Sequence, residues 1–202
     1  MKERNDIRQA YDKLAETYAT GRSKNGRDID ILAEFLSALP ERPQILDAGC
    51  GQGAPVLRRL NATATGYGLY FSREQLLLAS ENISEVPLLQ GDITQLPLDH
   101  DVVDAIVAYH TLIHVPTDDQ KAAIGEFSRV LRPGGQLLLS DGPVEWSGAN
   151  PDWLDTGVEM QWDIAGVDAT REHIQNAGFT IFDEWDVDEG EHWMFLAAQL
   201  DE

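Results

Sequence analysis

Three groups of residues have the types and spacing that chemistry requires. The first is Ile45-Leu46-Asp47-Ala48-Gly49-Cys50-Gly51-Gln52-Gly53, an apolar run that ends in a G-x-G-x-G turn. Glycines so placed let a nucleotide-like ligand lie against bare backbone, because no Cβ intervenes. The spacing differs from the G-x-G-x-x-G that seats a pyrophosphate over a helix N-terminus. Asp47, just ahead of the glycines, would repel phosphate and attract a cation, so a ligand without a diphosphate is expected. Cys50 is the only cysteine; between two glycines it reads as a small structural residue rather than a nucleophile.

The second group is His110 and His114. Histidine titrates near neutral pH, so either can act as general base toward an attacking hydroxyl or amine. Four apart, they would share one face of a helical turn, as metal ligands do, but no third ligand is evident and no metal is expected. His114, ahead of Val115-Pro116, equally suits a plain turn cap. The third group is Glu191-His192, another acid–base pair.

Regular elements must hold these groups in place. Strands are expected at 44–48, 65–70, 86–90, 103–109 and 135–140, and helices at 53–60, 72–81 and 118–131. Pro133-Gly134-Gly135 reads as the turn before the fifth strand. Such alternation predicts an α/β fold, a Rossmann-like and mostly parallel sheet with helices on both faces. The histidines then fall just past the fourth strand, at the edge where ligands of open α/β sheets bind. Two amphipathic helices, 3–19 and 27–39, precede the sheet; Ile29, Ile31, Leu32, Phe35, Leu36 and Leu39 mark the apolar face of the second. A helix at 168–177 leads to strands 179–187 and 192–200, a hairpin that makes the last strand antiparallel.

The rhythm stops between Gly142 and Gly166. A loop of that length is functional or disordered, and three tryptophans argue against disorder. Residues 142–166 read as a lid over the ligand face, with Trp146, Trp153, Met160 and Trp162, together with His192, as candidates for a substrate pocket. Core packing would use the same side chains. The 202 residues suit one domain, 1–202.

Composition narrows the partners. Acidic residues number 35 against 15 basic, a net charge of −20, which repels nucleic acid and anionic membranes. The acids are spread along the chain, a pattern expected of adaptation to molar salt, where the Debye length falls to ~3 Å. No stretch approaches the ~18 apolar residues of a membrane span. MKERNDIRQAYDK has no apolar signal-peptide core, so a cytoplasmic location is expected.

Further motifs add a resemblance. Ile45–Gly53 resembles the first motif of class I S-adenosylmethionine-dependent methyltransferases. Gly91-Asp92-Ile93 resembles that family's adenine-contacting segment, Asp104-Ala105-Ile106-Val107 its fourth strand, and Leu131-Arg132-Pro133-Gly134-Gly135 the approach to its fifth. More narrowly, Gly53–Val56, Tyr109–Pro116 and Glu191-His192-Trp193 resemble a branch of small methyltransferases that act on small molecules. The resemblance implies a seven-stranded sheet and S-adenosylmethionine as cofactor. It further implies that Gly49, Cys50, Gly51, Gly53 and Tyr109 lie along the cofactor and that Asp47 binds its ammonium. Asp92 would accept from the adenine amino group while the Ile93 N–H meets a ring nitrogen. An N-terminal segment, 1–26, would cover the cofactor with Tyr11 and Tyr18, and Arg22 would pair with its carboxylate. One position departs from the pattern: Tyr70 stands where the family places an acid that accepts from both ribose hydroxyls. The function so implied is methyl transfer to a small-molecule acceptor, without nucleic acid or membrane partners. A non-catalytic cofactor-binding module and a nicotinamide-dependent oxidoreductase are the competing classes.

Overall fold

The computed structural model describes residues 4–21 and 26–202. Its elements follow in chain order: helices α1 (Arg4–Gly21) and α2 (Arg27–Ser37), strand β1 (Gln44–Ala48), α3 (Val56–Thr63), β2 (Thr65–Tyr70), α4 (Arg73–Asn82), β3 (Leu88–Gln90) and β4 (Val103–Ala108). Then come α5 (Thr117–Val130), β5 (Leu131–Asp141), β6 (Trp146–Asn150), β7 (Met160–Ile164), α6 (Val167–Asn176), β8 (Phe179–Asp188) and β9 (His192–Leu200).

β1 is apolar on both faces because helices cover both, as parallel sheets require; Ile45, Leu46 and Ala48 are fully buried. Seven strands pair in the order β3-β2-β1-β4-β5-β9-β8. All run parallel except β9, which is antiparallel to both β5 and β8, as the hairpin reading predicted. Alternate residues feed two cores. Ile45, Ala105 and Val107 join Leu14, Leu32, Phe35 and Leu57 on one face. Leu46, Ile106 and Ala108 join Ile124, Phe127 and Ile174 on the other. The strand order reverses between β1 and β4, and the crevice at that switch lies over the glycine turn.

Two segments differ from the expectation. Pro133-Gly134-Gly135 does not precede β5 but bulges within it. The register passes from Val103↔Leu131 directly to Ala105↔Gln136, with Gly134 at φ +75°. Residues 142–166 are not an irregular loop, for β6 and β7 pair as an antiparallel hairpin, Trp146↔Ile164 to Asn150↔Met160. A single turn, Trp153–Asp155, sits near its tip. No described helix is long and apolar enough to cross a membrane.

Candidate functional site

The glycine turn takes a shape that side chains forbid. Gly49, Gly51 and Gly53 have φ of +109°, +51° and +88°, the left-handed half of backbone space that glycine enters without penalty. A Cβ on Gly49 would collide with the Thr111 side chain, and one on Gly53 would lie 2.8 Å from Ile83 Cδ1. The Gly49 and Cys50 N–H groups both donate to Leu69 O, at 2.8 and 3.0 Å, so the turn is pinned to β2. Asp47, 2% exposed, lies at the end of β1 beneath it. Burial, reinforced by the Asp47 charge, pushes the Cys50 thiol well up. Cys50 is therefore a neutral filler that donates weakly to Gly51 O at 3.6 Å, not a thiolate nucleophile.

From this turn a narrow cavity of about 60 Å³ runs along the ends of β1, β2 and β4. Gly49, Cys50, Gly51, Tyr70, Asp92, Ile93 and Tyr109 line it, as do Tyr11 and Tyr18 of α1. Gly53 and Asp47 shape the turn from behind its wall. Asp92 Oδ1 accepts from Thr94 N–H at 2.9 Å and Thr94 Oγ1 at 2.8 Å, which orients the carboxylate at the cavity edge. Tyr70 is buried edge-on against Phe71 and Tyr11, centroids 5.0 and 5.7 Å apart, so its ring packs as well as lines. Asp12 docks α1 on the start of α4 by accepting from Ser72 Oγ at 2.6 Å. That docking carries Tyr11 and Tyr18 across the cavity. Arg22 lies outside the described residues.

His114 ends a short turn, Leu112–His114, just past β4, and is 9% exposed. Its Nδ1 lies 3.2 Å from the Gln161 carbonyl of β7 and its Nε2 lies 2.7 Å from the Tyr11 hydroxyl. A carbonyl only accepts, so Nδ1 carries the hydrogen. In the neutral ring Nε2 is then the acceptor, and Tyr11 donates to it. Gln120 of α5 holds this arrangement together. Its Nε2 lies 3.1, 3.0 and 2.8 Å from the carbonyls of Leu112, Val115 and Asp163 and shares its two hydrogens among them, joining the His114 turn to β7. His110 has φ +52°; its N–H donates to Ser140 Oγ at 2.8 Å and its ring lies 4.5 Å from that of Trp193. The two histidines share no ligand geometry, and among the described residues no group of three His, Cys, Asp or Glu could hold a metal ion.

On the other side of Tyr11 and His114 opens a cleft of about 1080 Å³. Trp146 and Trp162 line it from the β6–β7 hairpin and Trp153 from the turn beyond. Val187, Trp193 and Phe195 line it from one face of β8–β9, where Val187 pairs with Trp193. Two sequence candidates sit elsewhere. Met160 is fully buried in the core, and His192 occupies the opposite face of β9, where its Nε2 meets Asp186 Oδ1 at 2.6 Å. Strand alternation explains the second: His192 and Trp193 point to opposite faces, and it is Trp193 that faces the cleft. Glu191 lines the cleft and its carboxylate accepts from Trp193 Nε1 at 3.1 Å, whereas His192 meets Asp186. Trp193 stands in the sequence only within Glu191-His192-Trp193, with no role of its own, and Asp28 and Gln120 carry no motif. Only the alternation of Val187, Trp193 and Phe195 about the hairpin turn could have signalled the first.

A cradle of bare backbone with a buried carboxylate beneath it, and a second carboxylate at the far end, suits a cationic nucleoside rather than a diphosphate. Residues 46–139 match the family model of a methyltransferase domain. An uncharacterised methyltransferase from Anoxybacillus flavithermus is 28% identical over 139 residues, 67% of this chain and 66% of that protein. A tRNA (carboxymethyluridine(34)-5-O)-methyltransferase from Arabidopsis thaliana is 32% identical over 161 residues, 79% of this chain and 36% of that protein. The chain thus spans between about a third and two thirds of the length of these relatives. An S-adenosylmethionine-dependent methyltransferase from Methanosarcina mazei superposes with a TM-score of 0.73 at 19% identity, over 84% of this chain and 98% of that one, a likeness of fold. Sequence match, fold and glycine cradle agree: residues 46–139 are a methyltransferase domain, and the fold is that of the S-adenosylmethionine-dependent methyltransferases.

Proposed function

We propose that this chain methylates a small-molecule acceptor held in the aromatic cleft. One observation carries the reading: Tyr11, Tyr18, His110 and His114 line both the narrow cavity and the cleft. A methyl group passing from one space to the other must cross at those four side chains. When bound, S-adenosylmethionine supplies a methyl group on a sulfonium, already a strong electrophile. The chain's own work is to bind, align and dehydrate. Asp47, behind the wall, would attract the cofactor's ammonium through space, Asp92 and the Ile93 N–H would meet the adenine, and Tyr70 would offer the ribose its single hydroxyl.

Acceptor alignment is the largest contribution, because positioning alone supplies ~7–11 kcal/mol of barrier reduction. An acceptor hydroxyl or amine at the shared wall loses its proton by way of Tyr11 to His114 Nε2. Nδ1–H stays on Gln161 O throughout. His110, at the same wall, is the second candidate base. Helix α1 and hairpin segment 142–166 act as covers that keep water from this crossing. A small molecule is favoured over nucleic acid by the net charge of −20 and by the cleft wall, which has no lysine or arginine among the described residues. We read the same charge as adaptation to molar salt, and the chain as cytoplasmic.

Calorimetry with S-adenosylmethionine, S-adenosylhomocysteine and NAD, followed by mass spectrometry of a metabolite panel, tests the proposal. Binding of both adenosyl compounds and a gain of one methyl on a metabolite is expected. Binding of NAD alone would overturn it, as would methylation of tRNA with no metabolite modified.

A further inference from the structure

The cleft's lining is specific enough to name a class of acceptor. Four of the chain's five tryptophans line it, Trp146, Trp153, Trp162 and Trp193. They form two walls rather than one packed cluster. On the hairpin side, Trp162 lies 6.4 Å from Trp146 at an interplanar angle of 45° and 5.5 Å from Trp153 at 85°. On the β8–β9 side stand Trp193 and Phe195. Ring faces and edges at these angles suit a flat molecule inserted between them.

The charges around the walls have one sign. Asp28, Glu189 and Glu191 line the cleft, and no lysine or arginine does among the described residues. Among the described residues, the side-chain oxygens of two of these acids meet neutral donors. Glu189 Oε2 accepts from the Arg27 backbone N–H at 3.1 Å, and Glu191 Oε2 from the Trp193 indole at 3.1 Å, both neutral donors. The Arg27 guanidinium pairs with Glu34, at 2.6 Å, and acts on Glu189 only through space. Indole faces attract cations through the ring quadrupole, and the carboxylates attract them through space. An anion loses on both counts.

We infer that the cleft selects a flat aromatic acceptor bearing an amine or quaternary ammonium group, seated between the tryptophans with its cationic end toward Glu189 and Glu191. The inference rests on the methyltransferase reading, whose acceptor it specifies. The cationic group is the recognition handle. The nucleophile is a separate hydroxyl or uncharged nitrogen that reaches Tyr11 and His114.

Three probes of matched shape test this by calorimetry on the full chain saturated with S-adenosylhomocysteine: 2-(2-naphthyl)ethylammonium, 2-(2-naphthyl)ethanol and 3-(2-naphthyl)propanoate. The ammonium is expected to bind at least tenfold tighter than the carboxylate, with the alcohol between. In the double variant Glu189→Gln, Glu191→Gln that ratio should fall at least threefold, with S-adenosylhomocysteine affinity unchanged. Glutamine keeps an acceptor oxygen for each neutral donor, so the fold is not at stake. Equal or tighter binding of the carboxylate, no binding by any probe, or an unchanged ratio in the double variant would overturn the inference. The saturation step reads the cofactor assignment separately. A chain that binds S-adenosylhomocysteine but does not rank the probes refutes the acceptor class alone. One that ranks the probes without binding it refutes the cofactor reading alone.

Discussion

Tyr11 and His114 are 103 residues apart in the chain and 2.7 Å apart in the fold. The pairing gives each a defined role that neither has alone. The Gln161 carbonyl places the hydrogen on Nδ1, and the Tyr11 hydroxyl then selects Nε2 as the basic nitrogen. Tyr11→Phe keeps the ring and its edge contacts with Tyr18 and Tyr70 but removes the proton path. General-base catalysis contributes ~10²–10⁴-fold, so single-turnover methylation should slow by about a hundredfold at the low end of that range. S-adenosylhomocysteine affinity should stay within about threefold (~0.7 kcal/mol), read in parallel by calorimetry. Both residues were candidates from sequence, but their hydrogen bond was not legible there. Tyr70 is the converse case, for its departure from the family pattern was plain in the sequence. The fold adds that it belongs to a ring cluster with Tyr11 and Phe71, a packing role that a carboxylate in that place could not take.

Among the elements, the β6–β7 hairpin shows most clearly what a sequence conceals. Met160-Gln161-Trp162-Asp163-Ile164 alternates apolar and polar residues as a strand should. Its partner, Trp146-Ser147-Gly148-Ala149-Asn150, does not, and a lone alternating run has no visible mate. The hairpin also has a mechanical link to the His114 turn through Gln120, fully buried on α5. Sequence spacing marks Gln120 only as one position on the helix's inner face, beside Ala123, Ile124 and Phe127. Gln120→Leu would leave the Leu112, Val115 and Asp163 carbonyls without that donor. A buried polar group so stranded costs ~1–3 kcal/mol. The urea midpoint should fall accordingly with an unchanged m-value. Methyl transfer should fall as well, because the turn that sets His114 against Gln161 O loses its tie to β7.

Across the whole molecule, charge governs behaviour more than any single contact. Ion pairs such as Arg171–Glu184 and Arg129–Glu126 neutralise few of 35 acids, and the remainder repel one another. Far-ultraviolet circular dichroism should show helical signal lost in dilute buffer and regained in molar potassium chloride. An unchanged spectrum in dilute buffer would remove the argument for salt adaptation. Much of the rest was settled by local pattern. Apolar runs, helical periods and the glycine turn specify the strands, the helices and the cofactor cradle, because those depend on neighbours a few residues away. The glycine spacing and Asp47 likewise distinguish a cationic nucleoside from a diphosphate without reference to the fold. The acceptor cleft is of another kind. Its walls come from α1, the His114 turn, the β6–β7 hairpin and β8–β9, elements joined only by long-range packing. Which tryptophan faces inward, which histidine nitrogen is basic and which acids face the cleft follow from strand parity and from contacts spanning more than a hundred residues, and no local stretch of sequence carries that information.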